Sequence, residues 1–178
     1  MMLQAKLGLD AKDVHIVSAL TRDPETSQAD LAKRLGISQP SVNVRVQKLK
    51  KRGMMVSTSG IEFNRAGLNM VRVDFAATDP ARVLGELQEC SFFVNGFTLS
   101  GTRNVSILIV GHSLHKIDTI INTHLRPRGD VSDITTSVVV ATAKPFVCAV
   151  DLEKEQHASC QNAASCENCP VHLVRHRA

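Results

Sequence analysis

Between Gly36 and Gly53 the chain concentrates Ser38, Gln39, Ser41, Asn43, Arg45, Gln47, Lys48, Lys51 and Arg52. Side-chain amides and hydroxyls at this density offer donors and acceptors together, which is the chemistry that base edges in a major groove require. Gln and Asn suit adenine in particular. Lys33, Arg34, Lys48, Lys51 and Arg52 add the positive charge that phosphate oxygens attract. From Leu31 to Arg52 there are seven basic residues and no acidic one. Taken alone, such a run also fits a solvated basic face. Arg45 has two readings, a contact to guanine or a brace beneath the helix that carries it.

A second group of reactive side chains lies near the C-terminus. Cys160, Cys166 and Cys169 fall within the last twenty residues, whereas Cys90 and Cys148 stand apart in apolar surroundings. The spacing Cys166-x2-Cys169 lets two thiolates approach one ion from a single turn. Cys160 supplies a third ligand, and His157, His172, His176, Cys148 or Cys90 a fourth. Zinc, an iron–sulfur cluster or a reversible Cys166–Cys169 thiol switch all fit this pattern. A tail with incidental cysteines fits it as well.

The elements that must position the first group are legible in order. Asp10 to Arg22 reads as a helix capped by Asp10, with Val14, Val17, Ala19 and Leu20 inward and Ile16 beside them. Asp23-Pro24-Glu25-Thr26 is a turn. Ser27 and Asp30 resemble a capping box for a second helix, whose inner face is Leu31, Ala32 and Leu35 and whose end is Gly36. Only a tight turn fits between Gly36 and Ser38. Ser38 then caps a third helix with Pro40 in its first turn and Val42, Val46 and Leu49 as its apolar stripe. This is helix-turn-helix geometry. Met54-Met55-Val56 and Ile61-Glu62-Phe63 are predicted to pair as a short hairpin, the wing of a winged helix.

The second half changes period. Val71–Ala77, Phe92–Leu99, Val105–Val110 and Val131–Ala143 read as strands. Asp79-Pro80 opens one helix, with Val83, Leu84 and Leu87 inward. Ser113–His124 is another, with Leu114, Ile117, Ile120 and Ile121 inward. The order β-α-β-β-α-β is ferredoxin-like. Both helices are expected on one sheet face, leaving the other face apolar and uncovered until a second copy buries it. The fold class is therefore α+β. The predicted organisation is a winged helix-turn-helix domain over 1–64, a linker over 65–70, a βαββαβ domain over 71–150 and a cysteine-rich tail over 151–178.

Composition is consistent with this division. The net charge of +4 is unevenly spread, since residues 1–65 hold 11 Lys/Arg against 6 Asp/Glu. No apolar run is long enough to span a membrane, and the N-terminus lacks the layout of a signal peptide, so a cytoplasmic protein is expected.

Leu31-Ala32-Lys33-Arg34-Leu35-Gly36-Ile37-Ser38, followed by Val42, Arg45, Val46, Leu49 and Gly53, is similar to the DNA-binding signature of the Lrp/AsnC family of transcription factors. Asp79-Pro80 and Gly101-Thr102-Arg103-Asn104 sit where that family has a helix start and its ligand loop. The resemblance covers roughly residues 8–150. It implies double-stranded DNA as partner and a homodimer that assembles further into tetramers or octamers. It also implies a RAM-like second domain that binds a small-molecule effector near Gly101, Thr102, Arg103 and Asn104. Two departures stand out. Asn104 replaces the family's aspartate and lacks the carboxylate that pairs with an α-amino group, and the tail after Val150 is not part of the usual pattern. The fold also hosts tetrapyrrole decarboxylases, but the candidate acid–base groups here reduce to His112, His115 and His124. The intact basic helix argues against an enzyme, and no catalytic residue is assigned. A metal-trafficking module is the third alternative.

Overall fold

The computed structural model describes residues 3–88 and 90–150. The chain divides into two compact units at Ser57/Thr58.

The first unit is helical, with α1 (Leu3–Lys6), α2 (Ala11–Arg22), α3 (Gln28–Leu35) and α4 (Gln39–Lys51). Each of the last three begins at a side-chain cap. Asp10 accepts from the amide of Asp13, Ser27 from that of Asp30, and Ser38 from that of Ser41. At α2 the box is reciprocal, because the Asp13 carboxylate also accepts from the Asp10 amide. Gly36 closes α3 in the left-handed region, at φ 61°, where a side chain would be strained. That single residue turns the chain sharply enough for α4 to start at Gln39. Ile16, Ala19, Leu31, Ala32, Val42, Val46 and Leu49 form the core of this unit. The inner face of α2 is centred on Ile16 and Ala19, with Val14, Val17 and Leu20 at its margin.

The second unit contains β1 (Ile61–Glu62), α5 (Phe63–Ala66), β2 (Asn69–Ala77), α6 (Pro80–Leu87), β3 (Phe93–Thr98), β4 (Val105–Gly111), α7 (Leu114–His124), β5 (Val131–Val138) and β6 (Val147–Cys148). The main sheet has the order β3-β4-β2-β5, antiparallel throughout. That is the strand order of a ferredoxin-like βαββαβ fold. Val83, Leu87, Ile117, Ile120 and Ile121 of the two helices close over Val71, Val73, Phe75, Ile107 and Ile109 of the sheet. Arg128 ties the turn before β5 to α6, contacting Glu86 at 2.6 Å and Asp130 at 2.9 Å.

Three expectations are corrected. The hairpin between Met54–Val56 and Ile61–Phe63 does not form. Ile61 and Glu62 pair instead with Cys148 and Val147. Phe63 starts the short helix α5, whose N-cap Glu62 accepts from the Arg65 amide at 2.7 Å. Second, β5 ends at Val138 rather than Ala143. Its partner β2 begins at Asn69, and Val138 already pairs with Val71. Beyond the Val139 amide, which donates to Met70 O, only Asn69 of β2 remains, too little to carry a strand to Ala143.

Third, the sheet face away from the helices is not a bare apolar surface. One end of it, at Met70 and Val110, is buried under Phe63 and Cys148. Its middle carries Arg72, Asp74 and Ser106, with Arg72 and Asp74 ion-paired at 2.8 Å. Phe97, opposite Ser106 on the edge strand β3, is the apolar residue it leaves most open, 48% exposed.

Candidate nucleic-acid interface

Helix α4 is fixed from below by Val42, Val46 and Leu49, all buried. Its remaining positions point outward or are spent on holding it in place. Gln39, Gln47, Lys48 and Lys51 are exposed, as are Lys33 and Arg34 on α3. None of these six side chains has a hydrogen-bond or ion-pair partner among the described residues. Asn43 is exposed and accepts a long 3.5 Å bond from Gln28 of α3.

Four of the predicted contacts are committed internally. Ser38 Oγ caps α4 and lies 2.8 Å from Ser41 Oγ. Arg52 donates from Nη2 to the carbonyl of Leu7 at 2.8 Å, tying the end of α4 to the chain just after α1. Arg45 Nη1 donates to Asp10 Oδ2 at 2.6 Å and to Asp13 Oδ1 at 2.7 Å. One guanidinium nitrogen thus bridges both members of the α2 capping box. Of the two sequence readings for Arg45, this geometry matches the brace. The Asp13 amide and then the Arg45 guanidinium hold the Asp10 carboxyl below its usual range. Sequence reasoning missed Asp10 and Asp13 as partners of Arg45, because they lie 35 and 32 residues away. It also passed over Val44, an apolar residue on the outer face of α4 that is 66% exposed.

In the β3–β4 loop, Gly101 and Thr102 are exposed. Arg103 is not free. It pairs with Asp133 at 2.9 Å and also donates to the Asp133 carbonyl at 3.2 Å. Asp133 sits in the left-handed region, at φ 52°, where β5 is irregular. Asn104 behaves like a piece of backbone, since Oδ1 accepts from the Ala77 amide and Nδ2 donates to the Ala77 carbonyl, each at 2.8 Å. Asn104→Asp, which restores the residue the Lrp/AsnC pattern carries, is therefore expected to destabilise the second unit. The carboxylate has no hydrogen to donate and would face the Ala77 oxygen. The cost should be about 1–3 kcal/mol, read by urea denaturation at pH 7.

His112 and His115 are exposed and His124 is half-buried. No cluster of three His, Cys, Asp or Glu residues arranged for a metal occurs among the described residues. Cys160, Cys166, Cys169 and His172 lie outside them.

A family model for winged helix-turn-helix DNA-binding domains matches residues 9–54, the segment that carries α2, α3 and α4. Beyond that segment the chain is similar along most of its length to AsnC regulatory protein of Haemophilus influenzae, 22% identical over 145 residues, covering 79% of this chain and 95% of the relative. LrpA of Pyrococcus horikoshii is 24% identical over 140 residues, covering 76% and 99%. The chain is similar to the transcriptional regulators of the Lrp/AsnC family. Its fold matches the structure of Escherichia coli AsnC with a TM-score of 0.67 at 18% identity, over 78% of this chain and 97% of that one. A Neisseria meningitidis regulator solved with L-Met matches at a TM-score of 0.68 and 15% identity, over 81% and 97%. Within this chain, the helix-turn-helix supplies the DNA-binding part and the βαββαβ unit the second domain. No helix among the described residues is long and apolar enough to cross a membrane.

Proposed function

We propose that this regulator binds specific sites on duplex DNA as a homodimer, with one α4 helix entering the major groove of each half-site. The observation that carries the reading is the division of labour on α4. Its inner face and Arg45 are fixed within the unit, while Gln39, Asn43, Gln47, Lys48 and Lys51 stay exposed along its outer side. A rigid helix with unspent donors and positive charge suits groove docking, and two copies supply two half-sites. The exposed Phe97 and Leu99 at the end of β3 and Val138 and Val140 at the end of β5 support pairing with a second copy. Assembly into tetramers or octamers follows the resemblance to the family.

A small-molecule effector near the β3–β4 loop would meet the exposed Gly101 and Thr102, since Arg103 and Asn104 are engaged within the fold. Control through Cys160, Cys166, Cys169 and His172, by zinc, an iron–sulfur cluster or thiol oxidation, rests on their spacing in the sequence.

The test of the DNA reading separates positioning from specificity. Lys51→Ala should weaken binding to all sequences and reduce the slope of log affinity against log salt by about 1. Asn43→Ala should relax preference at one base pair by about 1–3 kcal/mol and leave that slope unchanged. Gel shifts over several salt concentrations read both. Wild-type behaviour of both variants would remove α4 from the interface.

A further inference from the structure

Among the described residues of α2, α3 and α4, Val44 is the one large apolar side chain that is exposed, at 66%. Successive helical residues turn by about 100°, so Val44 lies about 200° from Val42. It is therefore on the side opposite the core stripe, near the middle of the face that points away from the unit. Pro40 is one turn before it and exposed as well, and Gln47, Lys48 and Lys51 surround it on the following turns, all exposed. An isolated surface valine needs no explanation in general. This one stands at the centre of a face that, apart from Pro40, is hydroxyl, amide and ammonium. Lys48 and Lys51, one and two turns further along the same face, are placed to reach phosphates while the shorter Val44 side chain points toward the groove floor. The floor of a major groove offers one apolar group, the 5-methyl of thymine.

We infer that Val44 is a specificity-determining residue that packs against a thymine 5-methyl group in the major groove. The inference rests on the DNA-binding reading given above and names what that helix reads. Valine suits the task because its β-branched side chain holds two methyl groups in one preferred helical rotamer, so little freedom is lost on contact. Asn43 and Gln47, on one flank of Val44, would read hydrogen-bonding edges while Val44 reads the methyl. Together they predict sites in which a thymine lies beside the bases read by the amides.

The experiment uses the full chain and a random duplex pool. After a bound sequence is enriched, each thymine is replaced singly by deoxyuridine, which deletes only the 5-methyl. At one thymine of each half-site, uracil should weaken wild-type binding about fourfold, the factor expected from one buried methyl group. Val44→Ala should weaken the thymine site by a similar factor and lose the thymine-over-uracil preference at that position alone. Alanine is the better helix former, so a folding defect in α4 is not the expected cause. Wild-type affinity unchanged by uracil at every position would overturn the inference, as would a Val44→Ala protein that keeps the full preference. Either result would leave the DNA-binding reading standing. A pool in which no sequence is enriched would overturn that reading, and this inference with it.

Discussion

Arg45→Ala will weaken binding to every DNA sequence alike, without removing a contact to DNA. Arg45 Nη1 is bonded to Asp10 and Asp13, and both carboxylates are already paired with amides of the first turn of α2. Removing the guanidinium leaves the Asp13 carboxylate, buried at the edge of the helical core, without its cation. The α4 helix then loses its polar tie to α2 and keeps only the apolar stripe. Asp13→Ala tests the same tie from the other side. It deletes one half of the capping box and one half of the bridge, and should cost about 2 kcal/mol in unfolding free energy. The expected order of destabilisation is Arg45→Ala above Asp10→Ala, because Asp10 is the more exposed of the two acids. Arg45→Lys should rescue part of the loss, since a single nitrogen makes both bonds, although lysine is one bond shorter.

Amide exchange separates this outcome from its rival. A brace predicts faster exchange along α2 and α4 in Arg45→Ala, with base preference unchanged. A guanine contact predicts normal exchange and a relaxed preference at one position. The same tie has an acid limit. The Asp10 carboxyl is held below its ordinary 3.8 by the Asp13 amide and then by Arg45. A depressed carboxyl pKa contributes stability that is present above the unfolded-state value and is lost as pH falls through the folded one. The contribution should therefore persist at neutral pH and disappear only below about pH 4.

What was legible in the sequence was local. Ser27, Ser38 and Asp10 cap helices within three residues of themselves, and Val42, Val46 and Leu49 repeat at the helical period. The alternation that marks β2 and the nearly continuous apolar run of β4 are local signals of the same kind, and they led to the βαββαβ order. Arg45 was ambiguous because its partners belong to another helix, and the residues between them carry no trace of the pairing. The wing failed on the same ground. Ile61 and Glu62 have strand character, but nothing near them says that their partners are Cys148 and Val147. The β-branched run after Val138 has strand propensity without a neighbour, since propensity cannot count the residues of β2. Asn104 was read by its place in a glycine loop and turned out to hold Ala77 by both its amide atoms. Val44 lies off the stripe of Val42, Val46 and Leu49, and an apolar residue among polar ones carries no local signal of a role.

The pairing of β1 with β6 yields the second large effect, through Gly60. A Cβ built at Gly60 would collide with the carbonyl oxygen of Cys148 and lie 2.8 Å from its carbonyl carbon and 2.9 Å from Val147 Cγ1. Two of these atoms are backbone, so no rotamer change relieves the clash, and Gly60→Ala must push β6 away. The displaced strand would lose the Ile61–Cys148 and Glu62–Val147 pairs and the 2.9 Å bond from the Phe63 amide to Phe146 O. Overpacking of this kind costs about 1–3 kcal/mol.

The sharper readout is Cys148 itself. It is fully buried against Phe63, Met70 and Val110, and burial together with the Glu62 carboxylate pushes its thiol pKa up. Both effects suppress the reactive thiolate in the wild type. In Gly60→Ala, alkylation followed by peptide mapping at pH 8 should find Cys148 modified at least about tenfold faster, while Cys90 is unchanged. Val147→Ala added to Gly60→Ala should not restore protection, because it removes only the side-chain part of the collision. Slow labelling of Cys148 in the Gly60→Ala chain would mean that β6 is not seated on Gly60.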